Sequence, residues 1–191
     1  MATCDLIMKR RTIRRFQNKR IPYDVLENCV DAARVAASGA NLQPCEYIVV
    51  DDEAILPQVF STLKWAGYIT PRGNPPPGEE PTAYIVILIN RKKRPQGGSH
   101  DVGIAAAHIT LVALENGVGS CMLGSVDRDR LREMLKIPQE CEIDLVIALG
   151  YPNESPVQEE ATDSIKYWKD DKGVLHVPKR KLVDVIHHNI Y

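Results

Sequence analysis

The stretch from Ala83 to Asn116 decides the fold, and it reads AYIVILIN, then RKKRPQGG, then SHDVGIAAAHITLVALEN. Its first eight residues are a continuous apolar run, which is typical of a buried strand. The cationic residues 91–98 contain one proline and two glycines and therefore predict a loop. A long helix is predicted from Ser99 onward. Because residues 104–109 are apolar nearly all round, we expect it to be a central helix covered on most sides.

Further elements are predicted on both sides of this stretch. Pro22 begins a helix in which apolar residues recur at helical spacing as far as about Ala37. The remaining elements are strands at Tyr47–Val50, Ser120–Leu123 and Glu142–Leu149, and helices at 53–65, 128–136 and 181–189. Strands and helices are interspersed without a repeat or a domain boundary. We therefore expect a single domain, residues 1–191, of the α+β class or an α/β three-layer sandwich.

Residues 67–81 are the least regular part of the sequence. They are rich in proline and glycine, which excludes both a helix and a central strand. A loop of this length is either a lid over a site or a disordered surface excursion, and the sequence leaves both possibilities open.

The composition is that of an ordinary globular protein, with 44% hydrophobic and 26% charged residues and a formal net charge of -1. This charge does not indicate a nucleic-acid partner. The first residues do not resemble a secretory signal, and the longest apolar run is too short to cross a membrane. We therefore expect a cytoplasmic location, and the five scattered cysteines are interpreted as free thiols rather than disulfides or zinc ligands.

Familiar catalytic and nucleotide-binding motifs are missing from the sequence. There is no phosphate-binding loop of the G-x-x-x-x-G-K-[ST] type, no H-E-x-x-H metal motif and no G-x-S-x-G elbow. Gly117 and Gly119 follow a predicted helix, whereas the dinucleotide fingerprint needs a preceding strand. No metal site is predicted. An enzyme of this composition would borrow its chemistry from an organic cofactor.

Several separated segments have the order and spacing of a known family. Residues 10–16 read RRTIRRF and residues 36–44 read AASGANLQP. A third segment comprises DVGIAA at 101–106 and LENGVGSCMLGS at 114–125. They are followed by ALGYP at 148–152 and PKR at 178–180. Each segment is weak alone. Together they resemble the nitroreductase family of FMN-dependent NAD(P)H oxidoreductases over nearly the whole chain.

The resemblance implies a central, mostly antiparallel sheet flanked by helices. It also implies an intertwined homodimer that binds flavin mononucleotide (FMN) at the subunit interface. The expected cofactor-binding residues are Arg10, Arg11, Thr12, Arg14, Ser38, Gly39, Asn41, Leu123, Gly124, Ser125, Lys179 and Arg180. No side chain is expected to be catalytic, because the flavin carries the chemistry.

Each group of these residues has an expected role. Arg10 and Thr12, with the cations 179–180, would hold the phosphate and ribityl chain, since guanidinium groups bind phosphate through paired hydrogen bonds. Arg14 would stabilise negative charge on the reduced flavin, and Gly124 would direct its N–H at flavin N5. The turn at 38–41 would contact the ring from the second subunit.

Simpler interpretations of the same residues stay open. Arg10 and its neighbour can be an exposed basic face, Arg14 can form a surface salt bridge, and the turn at 38–41 can be an ordinary helix cap. The sequence also departs from the family pattern: Ala37 stands where many members have proline, Cys45 where many have tryptophan, and Gly39 where serine is commoner.

The resemblance predicts a ping-pong oxidoreductase that passes electrons from NADH or NADPH to a small electron-poor acceptor, such as a nitroaromatic or a quinone. Trp65 and Tyr68 lie where family members shape their substrate channels, although such an aromatic pair can also pack the core. The alternatives are a dehalogenase or dehydrogenase of the same fold, and a non-catalytic FMN-binding dimer for storage or sensing.

Overall fold

Four antiparallel strands form the central sheet in the computed structural model of the chain, which describes residues 2–69 and 73–191. They are β1 (Cys45–Val50), β2 (Ala83–Asn90), β3 (Gly119–Leu123) and β4 (Cys141–Gly150), in the order β1-β2-β4-β3. Strand β2 lies inside the sheet and is buried along its length except at Asn90. Its continuous apolar sequence follows from this position, because both of its faces are covered.

Helices cover both faces of this sheet. They are α1 (Thr3–Lys9), α2 (Tyr23–Arg34), α3 (Leu56–Phe60), α4 (Ser99–Glu115) and α5 (Arg128–Leu135). Alternate residues of β2 face opposite sides of the sheet. Ile85 and Ile87 pack with α2 and α4 on one side. Tyr84 and Val86 pack with α3 and α5 on the other. The expected three-layer arrangement of helices around a mostly antiparallel sheet is therefore confirmed.

Helix α4 is the central helix that the sequence predicts, but one side of it lacks cover. Ala105, Ala106 and Ile109 are fully buried against the sheet and α2. Ile104 retains 39% exposure, and Gly103 and Ala107 beside it are also exposed. An apolar stripe of α4 thus faces outward. In the described part of the chain, no helix combines the length and the apolarity needed to cross a membrane.

The C-terminal third differs most from the sequence predictions. The predicted helix at 181–189 is wrong: a single 3-10 turn forms at Leu182–Asp184, and the apolar side chains around it are exposed. A short helix without a packing surface is unstable in water. A second, three-stranded sheet precedes this turn and was not predicted; it contains β5 (Val157–Glu160), β6 (Trp168–Lys169) and β7 (Leu175–Lys179). In it, β5 and β7 are parallel and β6 is antiparallel to β7.

Other predicted boundaries change less. The helix from Pro22 ends at Arg34 rather than Ala37, and the helix at 53–65 shortens to α3, while α1 was not predicted. The irregular segment 67–81 contains a 3-10 turn at Gly67–Ile69, and residues 70–72 of that segment lie outside the described residues.

The N-terminal segment after α1 lies along the free edge of β3. Thr12 bridges to Ser120 in parallel orientation, and the Ile13 N–H donates to the Ser120 carbonyl at 2.9 Å. Further along, the ring of Phe16 is fully buried against Gly150. A Cβ atom at position 150 would lie 2.7 Å from this ring, so the strand needs glycine there for the segment to dock.

Gly150→Ala is therefore expected to lower the free energy of unfolding by about 1–3 kcal/mol, which is typical of overpacking in a core. Urea denaturation followed by circular dichroism measures this change. Gly67→Ala is the matched control, because a Cβ atom there meets no atom within 4 Å; its unfolding midpoint should stay close to that of the wild type. An unchanged midpoint for the position-150 variant would contradict the docking described for Phe16.

Candidate functional site

A cleft of about 630 Å³ opens between the N-terminal segment, the residues after α3 and the end of β3. This volume lies within the usual range for sites that bind small molecules. The two loops that form it are joined by a backbone hydrogen bond from Lys64 N–H to the Ser125 carbonyl, at 3.0 Å. The lining residues are Arg14, Leu63, Lys64, Trp65, Ala66, Gly67, Asn74, Cys121, Met122, Leu123, Gly124 and Ser125.

The N-terminal segment divides its cations between neighbouring cavities. Arg14 lines the cleft, Arg10 and Arg11 line a second groove, and Ile13 between them is buried in the core. The Arg14 N–H donates to a carboxylate oxygen of Glu154 at 2.5 Å. The Nε atom of Arg14 is buried and has no hydrogen-bond partner within the described residues. The Arg14 side chain thus lines the cleft, while its guanidinium also interacts with the Cys121 thiol.

The environment of this segment is cationic and partly shielded from water. Burial lowers the pKa of Arg10, and the neighbouring charge of Arg11 lowers it further. Burial raises the pKa of the Cys121 thiol to about 11, and the nearby charges of Arg14 and Arg10 oppose that rise. Both guanidinium groups thus act on one sulfur atom at the edge of the sheet. Partly desolvated cations of this kind bind anions more strongly than exposed ones do.

A smaller groove of about 260 Å³ lies beside Arg10. Its walls include Lys9, Arg10 and Arg11 on one side and Ser120 and Ser155 on the other. Glu154 also lines this groove, so its three cations are opposed by one carboxylate. The excess of positive charge and the two hydroxyl groups provide hydrogen-bond donors for an anionic group.

The end of β3 exposes its backbone to the cleft. Leu123 is buried, whereas Gly124 and Ser125 are exposed, and a Cβ atom at Gly124 would have no atom within 4 Å. A planar ligand can therefore approach this peptide closely. The Gly124 carbonyl accepts a hydrogen bond from Arg128 at 3.1 Å, and the same guanidinium binds the Ile143 carbonyl at 2.9 Å. Arg128 fixes this peptide, a role that no local sequence pattern indicated.

The turn at 38–43 lies in another place. Ser38 lines a separate cavity of about 200 Å³, whereas Asn41 is exposed. Ala40, Asn41 and Gln43 all have left-handed backbone angles, with φ of 51°, 54° and 48°. Each such angle costs roughly 1 kcal/mol for a residue with a side chain. Within one chain this turn does not share a cavity with Arg14 or Gly124, so a site built from both stays a prediction.

The two aromatic residues of the predicted channel have different environments. Trp65 is only 6% exposed and packs on Phe60 with ring centroids 5.8 Å apart, so it forms a buried wall of the cleft. Tyr68 is 60% exposed and packs against Tyr167 at 4.9 Å. Because the Arg14 guanidinium lies 5.2 Å from the Tyr167 ring, this tyrosine pair adjoins the cleft.

The structure does not place the C-terminal cations beside the N-terminal ones. Lys179 and Arg180 are exposed, and neither lines the cleft or the groove near Arg10. Lys179 lies opposite Glu160 in the backbone register of β7 and β5. The Arg180 guanidinium donates to the Asp184 carbonyl. Their convergence on a phosphate group stays a prediction.

Comparisons with known proteins agree on one family. The model of the nitroreductase family matches residues 7–151, which include the central sheet and the cleft but not the small sheet of β5, β6 and β7. A protein from Archaeoglobus fulgidus named as an NADH dehydrogenase/NAD(P)H nitroreductase is 32% identical, over 83% of this chain and 90% of the relative. An iodotyrosine deiodinase from Thermotoga neapolitana is 25% identical, over 78% of this chain and 88% of the relative.

A solved structure of an FMN-dependent nitroreductase from Clostridium difficile has a TM-score of 0.69 and 25% sequence identity to this chain. The alignment covers 97% of this chain and 98% of that one. The family match covers well over half of the residues, and the similarity of the whole fold agrees with it. By sequence and by architecture, this chain belongs to the nitroreductase family.

Proposed function

We propose that this chain is an FMN-dependent oxidoreductase that takes electrons from NADH or NADPH and passes them to a small electron-poor acceptor, such as a nitroaromatic or a quinone. Donor and acceptor would use the same cleft in turn, which is a ping-pong sequence. The observation that carries the proposal is the cleft that brings Arg14 together with the open backbone at Gly124, with the partly desolvated Arg10 in a second groove along the same N-terminal segment. The names of the Archaeoglobus and Clostridium proteins support the same donor and cofactor.

The residues present fit FMN. Its phosphate carries nearly two negative charges, and the groove at Lys9, Arg10 and Arg11 offers cations for it. The guanidinium of Arg14 and the unobstructed peptide at Gly124 line one cleft and suit the polar edge of a planar ring. When bound, the flavin supplies the redox chemistry of the site.

The protein's own residues contribute binding, orientation and charge. Arg14 is placed to stabilise negative charge on the ring, and Glu154 holds the Arg14 backbone in position. The buried ring of Trp65 closes one wall against water, whereas the exposed Tyr68 stands where an acceptor would enter. No side chain needs to act as an acid, a base or a nucleophile in this scheme.

A homodimer forms part of the proposal. The outward apolar stripe of α4 at Gly103, Ile104 and Ala107 lacks cover within the chain. Apolar side chains of the C-terminal tail are also exposed, among them Leu182 at 72% and Val183 at 73%. Contiguous exposed apolar surface of this kind is typical of an interface. A second copy would cover it and bring its own turn at 38–43 towards the cleft.

Reductive dehalogenation is the second candidate. It is favoured by the iodotyrosine deiodinase from Thermotoga neapolitana, which matches this chain over most of both lengths. A non-catalytic FMN-binding dimer for storage or sensing is the alternative outside the enzymes.

An anaerobic titration separates these functions. Protein loaded with FMN is mixed with excess NADH or NADPH, and the absorption near 450 nm (roughly, for free flavin) should fall within seconds and return when a quinone or a nitroaromatic is added. Double-reciprocal rate plots should give parallel lines. Absorption that persists with both nicotinamides but falls with dithionite and returns with an iodinated phenol would favour the dehalogenase. The binder would be favoured if the absorption persists with both nicotinamides, falls with dithionite and then does not return with any of the acceptors.

Arg10→Ala should weaken FMN binding by roughly 10- to 100-fold, because a hydrogen bond to a charged group contributes about 1.5–3 kcal/mol. Fluorescence titration of the apoprotein with FMN measures the Kd. The control is Arg20→Ala, since the Arg20 side chain is 71% exposed and pairs with Asp51 at the surface. A full complement of FMN on the Arg10 variant would contradict the phosphate assignment.

Mixed dimers test whether each site uses two chains. A dimer of one Arg10→Ala chain and one Asn41→Ala chain, purified through two different tags, should bind one FMN tightly. One of its sites would carry both changes, and the other would carry neither. If each site were instead built within a single chain, both sites of the mixed dimer would carry one change. The mixed dimer would then bind no FMN tightly. Ultracentrifugation showing a monomer loaded with FMN would contradict the dimer itself.

A further inference from the structure

The side chain of Arg94 fills the space beside Gly39. A Cβ atom at position 39 would lie 2.7 Å from Nη1 of Arg94, which is closer than real contacts allow. Atoms Nη2 and Cζ of the same guanidinium would lie at 3.4 and 3.5 Å. The group therefore occupies the volume that any side chain at position 39 would need.

Asp101 holds both partners in this arrangement. It lies in the first turn of α4 and is only 5% exposed. One carboxylate oxygen accepts a hydrogen bond from the Gly39 N–H at 3.0 Å, and the other lies 3.2 Å from Nη1 of Arg94. The guanidinium cannot move away from Gly39 without leaving a buried carboxylate short of its counter-ion, which is costly.

Arg94 differs from the other cations of its loop. Arg91, Lys92 and Lys93 pair with Glu142, Glu140 and Glu46, and these pairs are at least partly exposed. The Arg94 side chain has an exposure of 25%, similar to that of Arg91, but it pairs with a buried carboxylate, that of Asp101. Its Cδ would lie 3.3 Å from a Cβ atom at position 98. The cationic loop at 91–98 thus places one charged side chain, that of Arg94, against the turn at 38–43.

The turn needs such support because its backbone is strained. Left-handed angles at Ala40, Asn41 and Gln43 are unfavourable for residues with side chains, and they persist only where surrounding contacts impose them. Within the turn, the N–H groups of Asn41, Leu42 and Gln43 donate to Ser38 or Gly39. From outside the turn, the Asp101 carboxylate accepts the hydrogen bond of the Gly39 N–H.

We propose that Arg94 and Asp101 are positioning residues that hold the turn at 38–43 in the shape it presents to the flavin ring of the other subunit. This inference rests on the proposed function, because the turn is assigned to the ring only there. Neither residue touches the cofactor in this scheme. They act through Gly39, and the absence of a side chain at position 39 is what allows the guanidinium to lie there.

The first test compares Arg94→Ala with Lys92→Ala, which removes one cation from the same loop but only a surface ion pair. In the apoprotein, hydrogen exchange of the Gly39–Gln43 amides should accelerate at least tenfold in the Arg94 variant and stay unchanged in the control. The Kd for FMN should rise about tenfold at a temperature where both variants are folded. Equal exchange and equal Kd in the two variants would overturn the inference.

The second test is a double-mutant cycle that distinguishes positioning from general loss of structure. Gly39→Ala in the wild-type background should weaken FMN binding, because the new Cβ displaces the guanidinium from Asp101. In the Arg94→Ala background the same change should cost much less, since the space is vacant. If the factors by which the two single changes raise the Kd for FMN simply multiply in the double variant, the coupling between position 39 and Arg94 is contradicted. If wild-type apoprotein binds no FMN at all, the proposed function fails, whereas the exchange experiment still reports on the support of the turn.

Discussion

The docking of the N-terminal segment along the edge of β3 is the contact on which the site depends. The bond between Ile13 and Ser120, together with the burial of Phe16 beside Gly150, fixes the segment from both ends. Further bonds hold the same segment, since the Arg14 N–H donates to Glu154 and the Gln17 N–H donates to the Tyr151 carbonyl at 2.8 Å. The close packing of the Phe16 ring against Gly150 thus helps to determine where the charges of Arg10 and Arg14 lie.

Burial gives these charges their chemical value. Surface pairs such as Lys92 with Glu140 contribute little, because water screens them and their side chains lose conformational freedom. The Arg14 donor is different, since it is buried without a partner within the described residues. A buried donor without an acceptor is a cost to the folded chain, and a ligand that satisfies it recovers that cost on binding. The same reasoning explains why an anionic, planar cofactor suits this cleft.

The strained turn at 38–43 lies apart from this cleft, yet the chain stabilises it through a buried ion pair. Strain that is held in place in this way commonly marks a functional segment. The outward apolar stripe of α4 begins just beyond Asp101, so the turn and the uncovered surface share one supporting helix. An interface that covers this stripe would therefore also orient the turn, which links assembly to cofactor binding in the proposed function.

Local pattern was enough to predict β2, α4 and the three-layer class, because burial on both sides leaves a continuous apolar run that no exposed segment would carry. Arg10, Thr12 and Arg14 were predicted from the resemblance to a known family rather than from a local pattern. The prediction of a helix at 181–189 was wrong, because apolar periodicity does not reveal whether the rest of the chain offers the helix a surface to pack on. The small sheet was missed because its strands are short and half exposed.

Only the tertiary structure determined the contacts between distant residues. Gly39 and Asp101 are 62 positions apart, and no periodicity relates them or connects either to Arg94. Likewise, Arg128 donates to the Ile143 carbonyl, 15 positions away. By itself the sequence determined which residues are buried, where the chain turns and which family it resembles, because these properties follow from local composition. The fold determined which charges meet and which stay free, because those depend on distances in space between residues that the chain keeps far apart.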